Sequence, residues 1–339
     1  LYVDPVDLQA QYRASPDWLQ RLMTAWADGL NYYLATHPQV HPKVLTHFEP
    51  WMALSFTEGS IGGDIERISL AELAAFYGGQ KIAVAAEDVG PVPREPRGSN
   101  GIAIAPKNTV DGHALLLINP HTSFYFRSEL QMTSGEGLNA YGASTWGQFF
   151  IYQGFNEQAG WMHTSSGIDN VDEFAEQTAL TRFGRFYVYG KDVRPYRTKP
   201  ITLAYRLPDG TLASRSFTTY ASHHGPIVAE RGGRWIAEAL MSKPVPALEQ
   251  SWLRTKAHDL TSYMQVAERQ ANSSNDTLFA DAKGEIAYLH PQFVPVRDDR
   301  FDYTHAVDGA DPATDWNGLH TVASLPNAIN PGIGWVRNT

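Results

Sequence analysis

The chain has 339 residues, of which 43% are hydrophobic and 19% charged, a composition typical of globular proteins. Its formal net charge of -9 offers no electrostatic basis for binding nucleic acid, and the absence of cysteine excludes disulfide bonds and thiol catalysis. No apolar run approaches the roughly 20 residues of a membrane-spanning helix, and no signal peptide is visible. Because the chain opens at Leu1 without an initiator Met, we expect an upstream segment to have been removed.

Helical periodicity dominates the first part of the chain. Residues 15–37 predict an amphipathic helix, with a serine at its N-cap and a proline in its first turn. A second helix is expected to begin at Ser69 and to end at Gly78. Residues 80–98 then lose this periodicity and contain several prolines, which is typical of a linker.

The pattern changes to one of strands after the linker. Short apolar runs bounded by turn residues predict strands at 102–105, 114–118 (buried on both faces), 201–207 and 212–220, and a hairpin over 277–289. Two further helices are expected, at 171–180 and 259–270. Helices followed mainly by strands predict an α+β fold. We divide the chain into a helical segment (1–79), a linker-like segment (80–98) and a β-rich segment (99–339).

Ser99 stands between the linker and the first predicted strand. A serine hydroxyl is a poor nucleophile without a base, but an N-terminal serine carries one in its own α-amine. The pKa of such an amine, about 7.7–8.0, leaves part of it neutral near neutral pH. This chemistry requires cleavage of the Gly98–Ser99 bond, which an exposed linker would permit. Taken alone, the segment is better explained as an ordinary serine in a loop before a strand.

A series of short motifs follows Ser99 in the order found in the penicillin acylases. They are SNGIAIAP at 99–106, NPH at 119–121, GFN at 154–156, WMHT at 161–164, HGPI at 224–227, LFADAKGEIAY at 278–288 and GWVRN at 334–338. Each motif is weak, but in this order the chain resembles that group, which includes penicillin G, cephalosporin and acyl-homoserine-lactone acylases. The resemblance implies an N-terminal-nucleophile hydrolase fold, an αββα sandwich. It also implies hydrolysis of an N-acyl amide through an acyl-enzyme.

The resemblance implies roles for individual residues. Ser99 would be nucleophile and base, and His121 would order its amine and the nearby water. The backbone N–H of Ser165 would be one donor to the oxyanion, and the side-chain amide of Asn275 the second, with Asn272 as the alternative. Arg297 would brace the site. Without the resemblance, His121 reads as a strand-end histidine, Asn275 as a turn residue and Arg297 as a surface arginine.

A structural calcium ion (Ca2+) is implied by a second group of residues. Asp169 and Asp172 would supply carboxylates, Val171 its carbonyl, and Asp64 an acidic ligand from the upstream segment. Calcium takes six to eight oxygen ligands, so clustered carboxylates suit it. The alternative is that Asp169 or Asp172 caps a helix.

Phe124, Trp146 and Phe149 are candidates for an apolar acyl pocket, and strand core is the alternative for them. Acyl-homoserine lactones, β-lactam amides, N-acyl amino acids and lipopeptides all fit such a pocket. The resemblance further implies a periplasmic or secreted enzyme whose two segments stay together after processing.

Two other classes of protein fit the sequence less well. A non-catalytic periplasmic ligand-binding protein is the best alternative of a different class. A metallohydrolase is disfavoured because His223 and His224, if adjacent on a strand, would point to opposite faces.

We predict that the full-length protein is cleaved between Gly98 and Ser99. Mass spectrometry should find a mature chain that begins at Ser99, whereas a Ser99→Ala form should stay uncut because it lacks the hydroxyl. A wild-type protein that turns over substrate while uncut would refute the N-terminal-nucleophile mechanism.

Overall fold

The computed structural model describes residues 4–55, 68–78, 99–121, 127–272 and 275–338. Its helices are α1 (Pro5–Ala14), α2 (Asp17–Thr36), α3 (Leu70–Gly78), α4 (Pro244–Arg254) and α5 (Leu260–Ala267). Its first strands are β1 (Asn100–Ile104), β2 (Leu115–Asn119), β3 (Arg127–Thr133), β4 (Asn139–Thr145), β5 (Gln153–Asn156), β6 (Ala159–Ser165), β7 (Asp172–Glu176), β8 (Thr178–Thr181), β9 (Gly184–Tyr189) and β10 (Asp192–Pro195). The others are β11 (Arg197–Arg206), β12 (Leu212–Ala221), β13 (Ile227–Arg231), β14 (Arg234–Ala239), β15 (Asn275–Asp281), β16 (Ile286–Leu289), β17 (Val307–Asp308), β18 (Ala328–Ile329) and β19 (Trp335–Asn338).

The upstream region has a helix, α1, that the periodicity did not predict. Asp4 caps α1 by accepting a hydrogen bond from the backbone N–H of Val6, 3.0 Å away. Ser15 therefore ends α1 instead of beginning α2, which starts directly after Pro16. None of the helices in the described ranges is long and apolar enough to cross a membrane.

Two sheets pack face to face behind these helices. One has seven strands in the order β18-β16-β15-β6-β5-β4-β3, and the other has three in the order β19-β1-β2. Their shared core is built from alternate residues of the facing strands: Ala103, Met162, Leu278, Ala280, Ile286 and Val336. Gly101 of β1 faces this core so closely that a Cβ there would lie 2.8 Å from the sulfur of Met162. The interface therefore fixes β1, and the residue before it, against β6 and β15.

Helix α5 covers the other face of the seven-stranded sheet. Leu260 and Tyr263 of this helix pack on Trp161 of β6 and Phe279 of β15. The described residues thus form a helix layer and two sheet layers, and the prediction of an α+β fold is confirmed. The outer face of the three-stranded sheet is exposed: Leu115 and Leu117 of β2 are 49% and 47% accessible. The expectation that this strand is buried on both faces was wrong.

Further sheets and hairpins complete the chain. Both predicted hairpins are present, as β11–β12 and β15–β16, and α5 lies within the predicted helix at 259–270. The helix predicted at 171–180 was wrong, because this segment forms β7 and β8. The residues of β7 alternate between buried and half-buried, and its backbone pairs with β14 in a four-stranded sheet of order β13-β14-β7-β17.

Candidate active site

One edge of the seven-stranded sheet gathers most of the predicted catalytic segments. Strands β4 and β6 each pair antiparallel with β5, so they run in the same direction and end at the same edge. Strand β15 runs antiparallel to β6 and begins at that edge, with Asn275 directly opposite Ser165. Trp146 follows β4 there as well.

Ser99 is held at this edge by Thr164. The backbone N–H of Ser99 donates to Oγ1 of Thr164 at 3.3 Å, and that hydroxyl lies 2.7 Å from the carbonyl oxygen of Ser99. The backbone N–H of His121 donates to the Oγ of Ser99 at 3.1 Å. The nitrogen and the hydroxyl of Ser99 are therefore each positioned by a neighbouring strand end. Gly98, the other residue of the predicted cleavage site, lies outside the described residues.

A chain of hydrogen bonds leads away from Thr164 and was not predicted from the sequence. The Thr164 hydroxyl lies 3.1 Å from Oδ1 of Asn338, and Nδ2 of Asn338 donates to the Tyr288 hydroxyl at 3.0 Å. Tyr288 donates to Oδ2 of Asp276 at 2.5 Å. Burial and the hydrogen bond to Asp276 raise the pKa of Tyr288, which keeps it a donor. Oδ1 of Asp276 also lies 2.8 Å from Nδ1 of His290.

This chain has a direction set by its charged end. The Asp276 carboxylate can only accept, so Tyr288 donates to it and accepts from Asn338. Asn338 then presents its carbonyl oxygen to Thr164. The one proton of Thr164 can be donated to that oxygen or to the carbonyl oxygen of Ser99, and in both cases a lone pair accepts from the N–H of Ser99. Asn338 belongs to the GWVRN motif noted in the sequence. Only the strand register, which pairs Asn338 with Gly101, places this residue beside Ser99.

Strand alternation places the side chain of Asn275 on the face away from Ser99. Thr164 and Asp276 lie on the face toward β1, together with Met162 and Leu278. Asn275 shares the opposite face with Thr277, which lies 3.0 Å from Nδ1 of buried His163 on that side. The strand geometry therefore does not support the predicted role of the Asn275 amide. The role of Ser165 needs only its backbone N–H, one residue beyond Thr164.

Arg297 makes its hydrogen bonds with the predicted calcium ligands. Its Nε donates to Oδ2 of Asp172 at 2.7 Å, and its Nη2 donates to the carbonyl oxygen of Asp169 at 2.9 Å. Trp316 donates to the same Asp172 oxygen at 2.5 Å. Burial still raises the pKa of Asp172, with Arg297 and Trp316 opposing that shift. Arg297 thus braces these carboxylates, and its contacts within the described residues do not place it at Ser99.

The described residues fit a guanidinium better than a calcium ion. Oδ1 of Asp172 is buried without a hydrogen-bond partner among them, which is an atom that a cation could use. However, calcium needs six to eight oxygens and would be repelled by Arg297, which already neutralises Asp172. Val171 is buried beside Asp172 at the start of β7 instead of within a helix turn. Asp64 lies outside the described residues.

The three candidate pocket residues are placed differently from one another. Trp146 is 56% accessible at the site edge, where it can meet a ligand. Phe149 packs against Phe150 and Trp252 and therefore belongs to the core between the sheet and the helices. Phe124 lies outside the described residues.

The sequence profile of the penicillin amidase family matches residues 4–339. The chain belongs to the penicillin amidase family. Among characterised relatives, the acyl-homoserine lactone acylase PvdQ of Pseudomonas putida is 26% identical over 87% of this chain and 41% of its own length. The acyl-homoserine lactone acylase QuiP of Pseudomonas fluorescens is 25% identical over 71% of this chain and 29% of its own length. The chain therefore spans well under half the length of these relatives.

The fold agrees with this family. A solved structure of the thermostable penicillin G acylase from Alcaligenes faecalis matches with a TM-score of 0.61 at 22% identity. The match covers 71% of this chain and 44% of that one. It confirms the predicted N-terminal-nucleophile hydrolase fold.

Arg297→Met should destabilise this penicillin amidase family chain by about 3–5 kcal/mol at pH 8, because it leaves the buried Asp172 carboxylate without a counter-charge. The folded-state pKa of Asp172 is already raised, so protonation favours the folded state and the loss should shrink as the pH falls toward 4. Urea unfolding at both pH values measures this. Arg300→Met, which breaks an exposed pair with Asp298, is the control and should change little at either pH.

Calcium at Asp172 stays a prediction, and a melting curve decides it. If the ion binds, calcium added to the chelator-treated full-length protein should raise the melting temperature. An unchanged midpoint would leave Arg297 as the counter-charge of Asp172.

Thr164→Val should slow amide hydrolysis by about tenfold or more, because losing the hydrogen bond to the Ser99 nitrogen alone costs about 1–1.5 kcal/mol in the transition state. The substitution also removes the contacts of the hydroxyl with the Ser99 carbonyl oxygen and with Asn338. Valine keeps the shape of threonine but cannot accept from the N–H of Ser99, whereas Thr164→Ser should restore most of kcat. The measurement is kcat on mature protein. A loss in Thr164→Ser without a loss in Thr164→Val would show that Thr164 acts only by packing.

Asn275→Ala should reduce kcat by far less than the roughly 10²–10³-fold loss seen when an oxyanion donor is removed. The reason is that its side chain lies on the face away from Ser99. A loss of that full size with KM unchanged would restore Asn275 as the second donor.

Proposed function

We propose that Ser99 is the nucleophile of an N-terminal-nucleophile amide hydrolase that cleaves N-acyl amides. Membership of the penicillin amidase family and the fold of a penicillin G acylase support an amidohydrolase. The observation that carries the proposal is the double positioning of Ser99. Thr164 lies against its backbone nitrogen at 3.3 Å, and the His121 N–H lies 3.1 Å from its hydroxyl.

The proposed reaction uses atoms that this site presents. Once freed by cleavage, the neutral amine of Ser99 takes the proton of its own hydroxyl while the Oγ attacks the carbonyl carbon of the amide. The developing oxyanion accepts a hydrogen bond from the backbone N–H of Ser165. The ammonium of Ser99 then protonates the departing amine as the carbon–nitrogen bond breaks. Water repeats the attack on the acyl ester, which releases a carboxylic acid and regenerates Ser99.

Thr164 has a definite part in this scheme. By accepting from one N–H of the Ser99 amine, it restricts rotation of that group and directs the remaining lone pair. The hydrogen bonds that run through Asn338 and Tyr288 to Asp276 help to hold the Thr164 side chain beside Ser99. Asn338, Tyr288 and Asp276 are therefore positioning residues, whereas Thr164 and the His121 N–H contact the nitrogen and the hydroxyl of Ser99 directly.

Acyl-homoserine lactones are the substrate class that we propose first. The named relatives PvdQ and QuiP are both acyl-homoserine lactone acylases. Trp146 supplies exposed aromatic surface at the same sheet edge for an apolar acyl chain. β-Lactam amides, N-acyl amino acids and lipopeptides are the competing classes. The proposal includes periplasmic or secreted action, with the segments before and after Ser99 remaining associated as two chains.

A panel of N-acyl-homoserine lactones of increasing chain length tests this proposal on the full-length processed protein. If the acyl chain is buried, kcat/KM should rise about fourfold for each added methylene until the pocket is full, since each buried CH2 is worth about 0.8 kcal/mol. N-acyl amino acids and a β-lactam amide of matched acyl group complete the panel.

Two serine variants provide the controls. Ser99→Ala should have no activity, whereas Ser165→Ala should keep most of it because only the backbone N–H of that residue is used. Activity that does not depend on acyl length, or that survives Ser99→Ala, would contradict the proposal.

A further inference from the structure

A second cluster of reactive side chains lies outside the Ser99 site. His223, His224 and Asp315 each bring one possible ligand atom to within 4.8 Å of the others. The histidines lie in the loop between β12 and β13, and Asp315 follows a helical turn at Pro312–Thr314. The expectation that the two histidines point to opposite faces was wrong because neither is in a strand. Their ring centroids are 3.9 Å apart.

The far side of each of these three groups is held by another side chain. Nδ1 of His224 lies 2.9 Å from Oε1 of Glu176. Nδ1 of His223 lies 3.1 Å from the hydroxyl of Tyr187. Oδ2 of Asp315 accepts from the hydroxyl of Tyr189. Second partners of this kind orient the ligands of metal sites and set which imidazole nitrogen is free to bind.

Burying these polar side chains costs free energy, which calls for a compensating interaction. Glu176 is fully buried, and its Oε2 has no hydrogen-bond partner among the described residues. The ring of Phe174 stacks on His224 at 3.9 Å and fixes its plane. His224 is 5% accessible, while His223 and Asp315 are 30% and 31% accessible. The cluster therefore has a dry, rigid back and one side open to solvent.

The loop is shaped so that both histidines converge. Gly225 follows them, and a Cβ at this position would lie 1.9 Å from the carbonyl oxygen of Glu238 in β14. Only glycine permits this approach, which draws the loop onto β14 and places His224 over Phe174. The glycine in the HGP motif at 224–226 is thus required by local packing against β14, which does not involve Ser99.

We propose that His223, His224 and Asp315 bind a divalent first-row transition metal, with zinc as the best match. Two imidazole nitrogens and one carboxylate oxygen, with a water molecule in the fourth position, form a common tetrahedral donor set for zinc. Ligand atoms of such an ion lie about 3.3 Å apart. Asp315 Oδ1 lies 2.9 Å from Nε2 of His224 and 3.7 Å from Nε2 of His223, which brackets that spacing.

The bound ion would connect the β12–β13 loop to a segment 91 residues further along the chain. We assign it a stabilising role, because these residues have no part in the proposed amide hydrolysis. The inference is independent of that function, and its tests read metal binding and stability instead of acylase activity.

Isothermal titration of the full-length protein with zinc, without a histidine tag and after chelator treatment, tests the site. One zinc should bind per chain, and saturating zinc should raise the melting temperature by about 4 °C or more. Cobalt in place of zinc should give the visible absorption of a tetrahedral ion. His223→Ala, at the accessible side of the cluster, should weaken zinc binding more than tenfold. Glu176→Gln, which alters only the second partner, should weaken it by about 10–100-fold.

Two further variants keep the result interpretable. Asp315→Asn removes the carboxylate ligand and serves where His223→Ala fails to fold. His305→Ala removes an exposed histidine paired with Asp302 and should leave zinc binding unchanged. No zinc binding by the folded wild-type protein would overturn the proposal. Binding that survives both His223→Ala and Asp315→Asn would do the same, and would leave the cluster as a hydrogen-bonded group of polar side chains.

Discussion

The pairing of β6 with β15 is the constraint on which the site depends. Each strand is covered on both faces, by the three-stranded sheet on one side and by α5 on the other. A slip of one residue would move Met162 and Leu278 out of one core and Trp161 and Phe279 out of the other. The register is therefore held by two hydrophobic layers at once. That register decides that Thr164, and not Ser165, presents its side chain to Ser99.

The polar side chains at the end of the β6–β15 pair are joined by one continuous series of hydrogen bonds. Buried Asp276 would be costly if unpaired, but it accepts from Tyr288 and Gln292 and lies beside His290. Its charge orients Tyr288, and through Asn338 it orients Thr164. Hydrophobic packing thus sets the position of the site, and one buried carboxylate sets the direction of its hydrogen bonds. Such networks tend to lose their effect as a unit when one member is removed.

Two other buried carboxylates, those of Asp172 and Glu176, are stabilised by different kinds of partner. Asp172 is neutralised by Arg297 and also accepts from Trp316 on the same oxygen, an arrangement that competes with a metal ion for that oxygen. Glu176 has His224 as its partner instead of a guanidinium, and each of the two carboxylates keeps one oxygen without a hydrogen bond among the described residues. A guanidinium carries a fixed positive charge, whereas a neutral imidazole can bind a metal ion through its second ring nitrogen. This difference in side-chain chemistry separates a structural ion pair from a candidate metal site.

The sequence by itself determined the α+β class, the hairpins around Pro208 and Gly284, and the order of motifs that marks the family. These follow from local turn chemistry and from apolar periodicity, which act over a few residues. It did not determine that 171–180 is a pair of strands, because the pairing of β7 with β14 overrides the local helical preference. Nor could it place Asn338 beside Thr164, turn Asn275 away from Ser99, or bring Asp315 to the two histidines at 223 and 224. Those outcomes depend on sheet register and loop closure between residues far apart in the chain, and only tertiary packing decides them.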